Sequence, residues 1–99
     1  MEQFNKSLPR VNTNIRILHA NPTTSNIDVY INGSLLASNV GFGKISKYFT
    51  ITPGEYNFQL YLTGTYDKPI LSQDIQLIAN ANYTISLVTL SNNLFLFRL

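Results

Sequence analysis

The residue types that could carry chemistry in this chain are few and stand far apart. His19 is the only histidine, and the acids Glu2, Asp28, Glu55, Asp67 and Asp74 each stand alone in the sequence. His19 and Asp28, joined by a serine such as Ser25 or Ser86, would supply the members of a nucleophilic triad. That chemistry also needs an oxyanion hole and a nucleophile held on a sharp turn, and the sequence has no motif for either. The reading adopted is therefore structural. His19 is expected to pack at a strand end and donate to a loop carbonyl or to Asp28. Asp28 is expected to accept backbone amides of the Asn21–Asn26 loop and so fix it. Single acids form neither the carboxylate pair of a glycosidase nor the alternating acids of a calcium loop. Cysteine is absent, which removes disulfides, thiol catalysis and zinc sites. No catalytic residue, cofactor or metal is expected, and the protein is read as not an enzyme.

Composition narrows the field further. Charged residues make up 12% of the 99 positions, about half the typical share of roughly 25%. Asn, Thr, Ser and Gln fill the gap, so the surface should be polar and nearly uncharged. Lys and Arg total seven and are scattered, leaving a net charge of +2. No basic cluster interleaves with aromatics, so nucleic acid is not an expected partner. Gly41-Phe42-Gly43 is too short for a phosphate loop and leads into no helix; it reads as a bulge or corner. The first ten residues hold no apolar signal core, and no apolar run nears the ~18 residues that span a bilayer. Membrane insertion is not expected, and synthesis in the cytoplasm without a classical signal peptide is.

The elements that must position these residues are strands. Ile27-Asp-Val-Tyr-Ile-Asn32 alternates strictly, and Asn32-Gly33 supplies the two positive-φ residues of a type I′ hairpin turn. Further extended runs are expected at 14–20, 34–38, 47–51, 56–63, 70–78, 83–88 and 94–99. Thr52-Pro53-Gly54 reads as a type II turn, and Ala79–Asn82 and Ser91–Asn93 as further turns. No amphipathic helix can be drawn. Seven or eight strands at about ten-residue spacing imply an all-β, antiparallel two-sheet sandwich of immunoglobulin or transthyretin type. Ile17, Val29, Ile31, Phe49, Tyr56, Phe58, Leu60, Leu71, Ile75, Leu77, Ile85 and Leu87 are the expected interior, with Gln73 the polar exception on its strand. Residues 1–13 lack periodicity and read as an arm ahead of a single domain at 14–99. Tyr30, Tyr48, Tyr61 and Tyr66 read either as an exposed aromatic face or as ordinary cross-strand packing. The apolar Leu94–Leu99 is expected to be central in a sheet or covered by another chain.

Ile15-Arg-Ile-Leu-His-Ala-Asn-Pro22, Ile27-Asp-Val-Tyr-Ile-Asn-Gly33, Asn39-Val-Gly-Phe-Gly43 and Thr52-Pro-Gly-Glu-Tyr56, in that order, resemble the bacterial domain-of-unknown-function family 4397. The resemblance covers the chain from about Ile15 to its end. It implies a β-sandwich of the kind found in envelope-associated or exported bacterial proteins, and it implies no activity. Two features depart from the family's pattern. Thr23-Thr24 replaces the acid that follows the proline, and the chain begins without an export signal.

The function expected from these features is a non-enzymatic structural subunit that self-assembles, as a filament or coat component on a bacterial spore or cell surface. Low charge weakens the repulsion that keeps soluble monomers apart. Phe4, Leu8 and Val11 of the arm would pair with and pack against a neighbouring copy's sheet edge. The partners expected are copies of the chain itself. The alternative is a cell-surface module that binds carbohydrate or protein through its loops and exposed tyrosines.

Overall fold

A computed structural model describes residues 12–99 of the protein. Among these residues eight strands run in chain order: β1 (Thr13–His19), β2 (Ile27–Ile31), β3 (Ser34–Val40), β4 (Phe49–Ile51), β5 (Gly54–Leu62), β6 (Leu71–Leu77), β7 (Asn82–Leu90) and β8 (Asn93–Arg98). They form two four-stranded sheets, ordered β4-β1-β7-β8 and β3-β2-β5-β6. The described residues contain no helix. The expected all-β sandwich is therefore present. It is not wholly antiparallel, because β1 and β7 pair in parallel from Asn14 opposite Asn82 to His19 opposite Leu87. Parallel neighbours need a long connection, and here it is the whole chain from β2 to β6.

Period-two alternation builds the core. Ile15, Ile17, Ile85, Leu87 and Leu96 of one sheet meet Ile27, Val29, Phe58, Leu60, Ile75 and Leu77 of the other, and all are buried. Ile31, Phe49, Tyr56 and Leu71 were expected inside and are only partly buried. Each sits on an edge strand or near a strand end, where the opposite sheet covers it incompletely. Thr13, assigned to the arm, is instead the first residue of β1 and is buried, with its Oγ1 donating to the Ala81 carbonyl at 3.1 Å. Phe4, Leu8 and Val11 lie outside the described residues.

Two tight hairpins set the registers. Asn32 and Gly33 take φ 46° and 84°, and Ile31 pairs with Ser34, as a type I′ turn requires. Ser91 and Asn92, at φ 51° and 67°, make the same turn between β7 and β8 without a glycine. Gly54 is different. Its φ of 149° is far from the roughly +80° of a type II turn, and it already pairs with Leu77 as the first residue of β5.

The terminal apolar strand β8 lies at a sheet edge, not in the centre. Its cover comes from within the chain. Gln73 of β6 accepts the Leu96 N–H at 2.8 Å and donates to the Leu96 carbonyl at 3.0 Å, standing in for a missing neighbour strand. Arg98 also donates to the Gln76 carbonyl. This seam between β6 and β8 is thus clipped shut, and the edge is partly protected against pairing with other chains.

Candidate functional site

His19 ends β1 with its ring turned inward and fully buried. Nε2 lies 3.0 Å from both the Thr24 and Ser25 carbonyls, while Nδ1 accepts the Asn21 amide at 3.3 Å. Carbonyl partners at Nε2 and an amide donor at Nδ1 together require the neutral tautomer protonated on Nε2. Asn21 completes the loop. Its Oδ1 accepts the Thr23 amide and hydroxyl at 3.0 and 2.8 Å, and its Nδ2 donates to Thr89 Oγ1 at 2.7 Å. The Asn21–Ser25 turn is therefore held by His19 and Asn21, and not by Asp28.

Asp28 works elsewhere. It points away from the core, on the outer side of β2, and is 3% exposed because three other groups enclose it. Its Oδ1 accepts the Asn39 amide and the Thr63 hydroxyl, both at 2.7 Å. Its Oδ2 accepts the Tyr66 hydroxyl. Asn39 is the extra residue of a bulge in β3, at φ 54°, so its N–H faces the carboxylate instead of a strand partner. The carboxylate thus fixes that bulge and the loop after β5. Burial pushes the Asp28 carboxyl up, but the bonds from Tyr66, Asn39 and Thr63 outweigh it, and its pKa lies below the ordinary 3.8. The bond to Asp28 in turn holds the Tyr66 hydroxyl above its ordinary 10.0. His19 and Asp28 have separate partners on opposite sides of β2's sheet, and the structure does not bring them together.

Three of the four tyrosines singled out in the sequence do come together. Tyr30 of β2, Tyr61 of β5 and Tyr66 of the following loop have ring centroids 5.4, 5.8 and 6.5 Å apart. Their planes are inclined at 78°, 55° and 70°, so they form a corner and not a flat shelf. With Gln59 and Gly33 they line an open cleft of about 340 Å³. Tyr48 belongs to the other face, where the Arg16 guanidinium sits 4.8 Å from its ring centroid.

Among the described residues, the sandwich side opposite the clipped seam is left open. There β3 and the Lys44–Phe49 segment border a groove of about 410 Å³, with Leu36, Val40, Ile45 and Phe49 among its lining. Ile45 is 49% exposed. The segment itself is fastened to β1, through Ser46 N–H to the Ile17 carbonyl at 2.8 Å and Ile17 N–H to Ser46 Oγ at 2.9 Å.

Charge is divided between the two layers. Among the described residues the acids Asp28, Glu55, Asp67 and Asp74 all lie on β2, β5, β6 or the loop after β5. The bases Arg16, Lys44, Lys47 and Arg98 lie on β1, β8 or the segment fastened to β1, and Lys68 alone joins the acids. No group of three or more His, Cys, Asp or Glu that could hold a metal ion occurs among the described residues. Three roles were missed in the sequence, those of Asn21, Gln73 and Asn39. Gln73 stood out only as a polar residue at an inward position, and Asn39 only as part of a glycine-containing corner.

No curated protein matches the chain. The model of a family described as Domain of unknown function (DUF4397) matches residues 13–97, from the first residue of β1 to the penultimate residue of β8. With nearly the whole described sandwich inside that match, the chain belongs to the DUF4397 family.

Proposed function

We propose that the protein is a structural subunit that assembles with copies of itself by strand addition, at a bacterial spore or cell surface. The observation carrying this reading is the inequality of the two lateral seams. One is closed by Gln73 and Arg98 of the same chain, while the other, among the described residues, leaves edge strands β3 and β4 flanking a groove of mixed polar and apolar lining. The occupant proposed is the N-terminal segment of a second copy. Eleven residues precede Asn12, and extended they reach roughly 36 Å at ~3.3 Å each, more than enough to run beside β3. Phe4, Leu8 and Val11 supply the apolar side chains, and main-chain bonds to an edge strand supply register. A head-to-tail contact of this kind leaves a free groove and a free arm on every pair, so it propagates into closed rings or open filaments. Charge does not drive it, since Lys44 and Lys47 border the groove and the arm carries Lys6 and Arg10 against the single acid Glu2. Salt should therefore strengthen the contact by screening.

Light scattering after size exclusion, with negative-stain microscopy, tests the reading. The full chain should form large species. Deleting residues 1–11, which spares β1, should leave a folded monomer, and Ile45→Lys should block assembly by adding a further positive charge to a groove that must receive a basic segment. A full chain that stays monomeric at high concentration, or a truncated chain that assembles equally well, overturns the proposal.

A further inference from the structure

We propose that the corner formed by Tyr30, Tyr61 and Tyr66 binds a quaternary ammonium group. No centroid pair is more than 6.5 Å apart, so one cation can lie within about 6 Å of all three rings, the range in which the ring quadrupole attracts it. Rings inclined at 55–78° to one another around one open cleft offer no flat stacking shelf, which suits a rounded N-methylated cation better than a flat ligand. The cleft of about 340 Å³ falls at the small end of ligand sites, roughly 300–1,000 Å³.

Two further features favour a cation. Asp28 holds the Tyr66 hydroxyl from behind, which fixes the one ring that comes from a loop and draws electron density toward it. The nearest acids outnumber the nearest base: Asp28 contacts Tyr66 and Asp67 follows it in the chain, with Lys68 the one base beside them, while Glu55 and Asp74 lie farther along β5 and β6. Asp28 itself is occupied by three donors, so it supports the site from behind and leaves the aromatic rings to meet the ligand. A primary ammonium is strongly hydrated and gains less here than a methylated one. Choline headgroups and trimethylated lysine share this chemistry. The site does not depend on assembly of the protein.

Isothermal titration calorimetry of the full chain with choline chloride tests the proposal, with 3,3-dimethyl-1-butanol, its uncharged isostere, as the control. Choline should bind with a Kd of about 1 mM or tighter, and the isostere at least about tenfold more weakly if the charge matters. Tyr61→Ala should abolish the heat, Tyr61→Phe should restore it, and Tyr48→Ala on the opposite sheet should leave it unchanged. Circular dichroism melts would establish that each variant is folded. Phosphocholine and trimethyl-lysine as further titrants separate the two sources, the tighter of them naming the ligand. Equal binding of choline and its isostere, undiminished binding by a folded Tyr61→Ala, or binding of cellohexaose in place of choline would overturn the assignment.

Discussion

Replacing Asp28 by Asn keeps the side chain's shape and removes its charge, which isolates the electrostatic part of what it does. The carboxylate accepts from the Asn39 amide, the Thr63 hydroxyl and the Tyr66 hydroxyl. An Asn at this position retains one acceptor oxygen for Asn39 and Thr63, and turns a donor toward Tyr66. Hydrogen bonds to charged groups contribute about 1.5–3 kcal/mol each when well formed. Tyr66 is 50% exposed, so water replaces much of its bond, and the other two bonds weaken without breaking. The expected total loss at neutral pH is about 1–3 kcal/mol. With a urea m-value of about 1 kcal/mol/M, a loss near the middle of that range lowers the midpoint by about 2 M. The sign of the pH dependence follows from the direction of the shift. The Asp28 pKa is lower folded than its ordinary 3.8, so its contribution is present above that value and fades as pH falls through the folded pKa. Urea titrations of parent and variant at pH 7 and at progressively lower pH should therefore converge in acid. Tyr66 works in the opposite direction. Its hydroxyl is raised above 10.0, so the contribution linked to it fades as pH rises through the folded value. A midpoint gap that is absent at pH 7, or equally large below the Asp28 pKa, would refute the role given to this carboxylate.

Phe58 is fully buried at the centre of the sandwich, and Phe58→Ala should cost about 3–5 kcal/mol through lost burial and the cavity left behind; an unchanged denaturation midpoint would contradict the face assigned to β5. Gln73→Ala removes both bonds to the Leu96 main chain and should cost about 1–3 kcal/mol. The same variant should exchange the Leu96 amide hydrogen faster and raise aggregation through the uncovered edge of β8, as hydrogen exchange and turbidity would reveal.

Much of the architecture is legible along the chain because strands and hairpins are written in short-range terms. Alternation over 27–32 places Ile27 and Val29 inside, and Asn32-Gly33 announces its turn. The Ser91-Asn92 turn is less explicit, since neither residue is a glycine, yet both adopt positive φ. What local pattern does not contain is which distant elements become neighbours. The parallel pairing of β1 with β7 joins residues 68 positions apart, as at Asn14 and Asn82, and nothing in either strand alone specifies that partner. The same limit governs the polar residues. Asp28 reads as a holder of the Asn21–Asn26 loop because that loop is nearest in sequence, but folding presents it with Asn39, Thr63 and Tyr66. Gln73 meets Leu96 only because β6 and β8 end up at the same side of two packed sheets. Charges scattered singly in the sequence become an acidic layer and a basic one for a related reason: sheet order, not chain order, determines which side chains share a face. Composition and period thus determined that this chain forms a two-sheet sandwich with an aliphatic core of Ile, Leu and Val packed around Phe58. Only the long-range pairing of its strands decided that three tyrosines meet, that one seam closes and that, among the described residues, the other is left open.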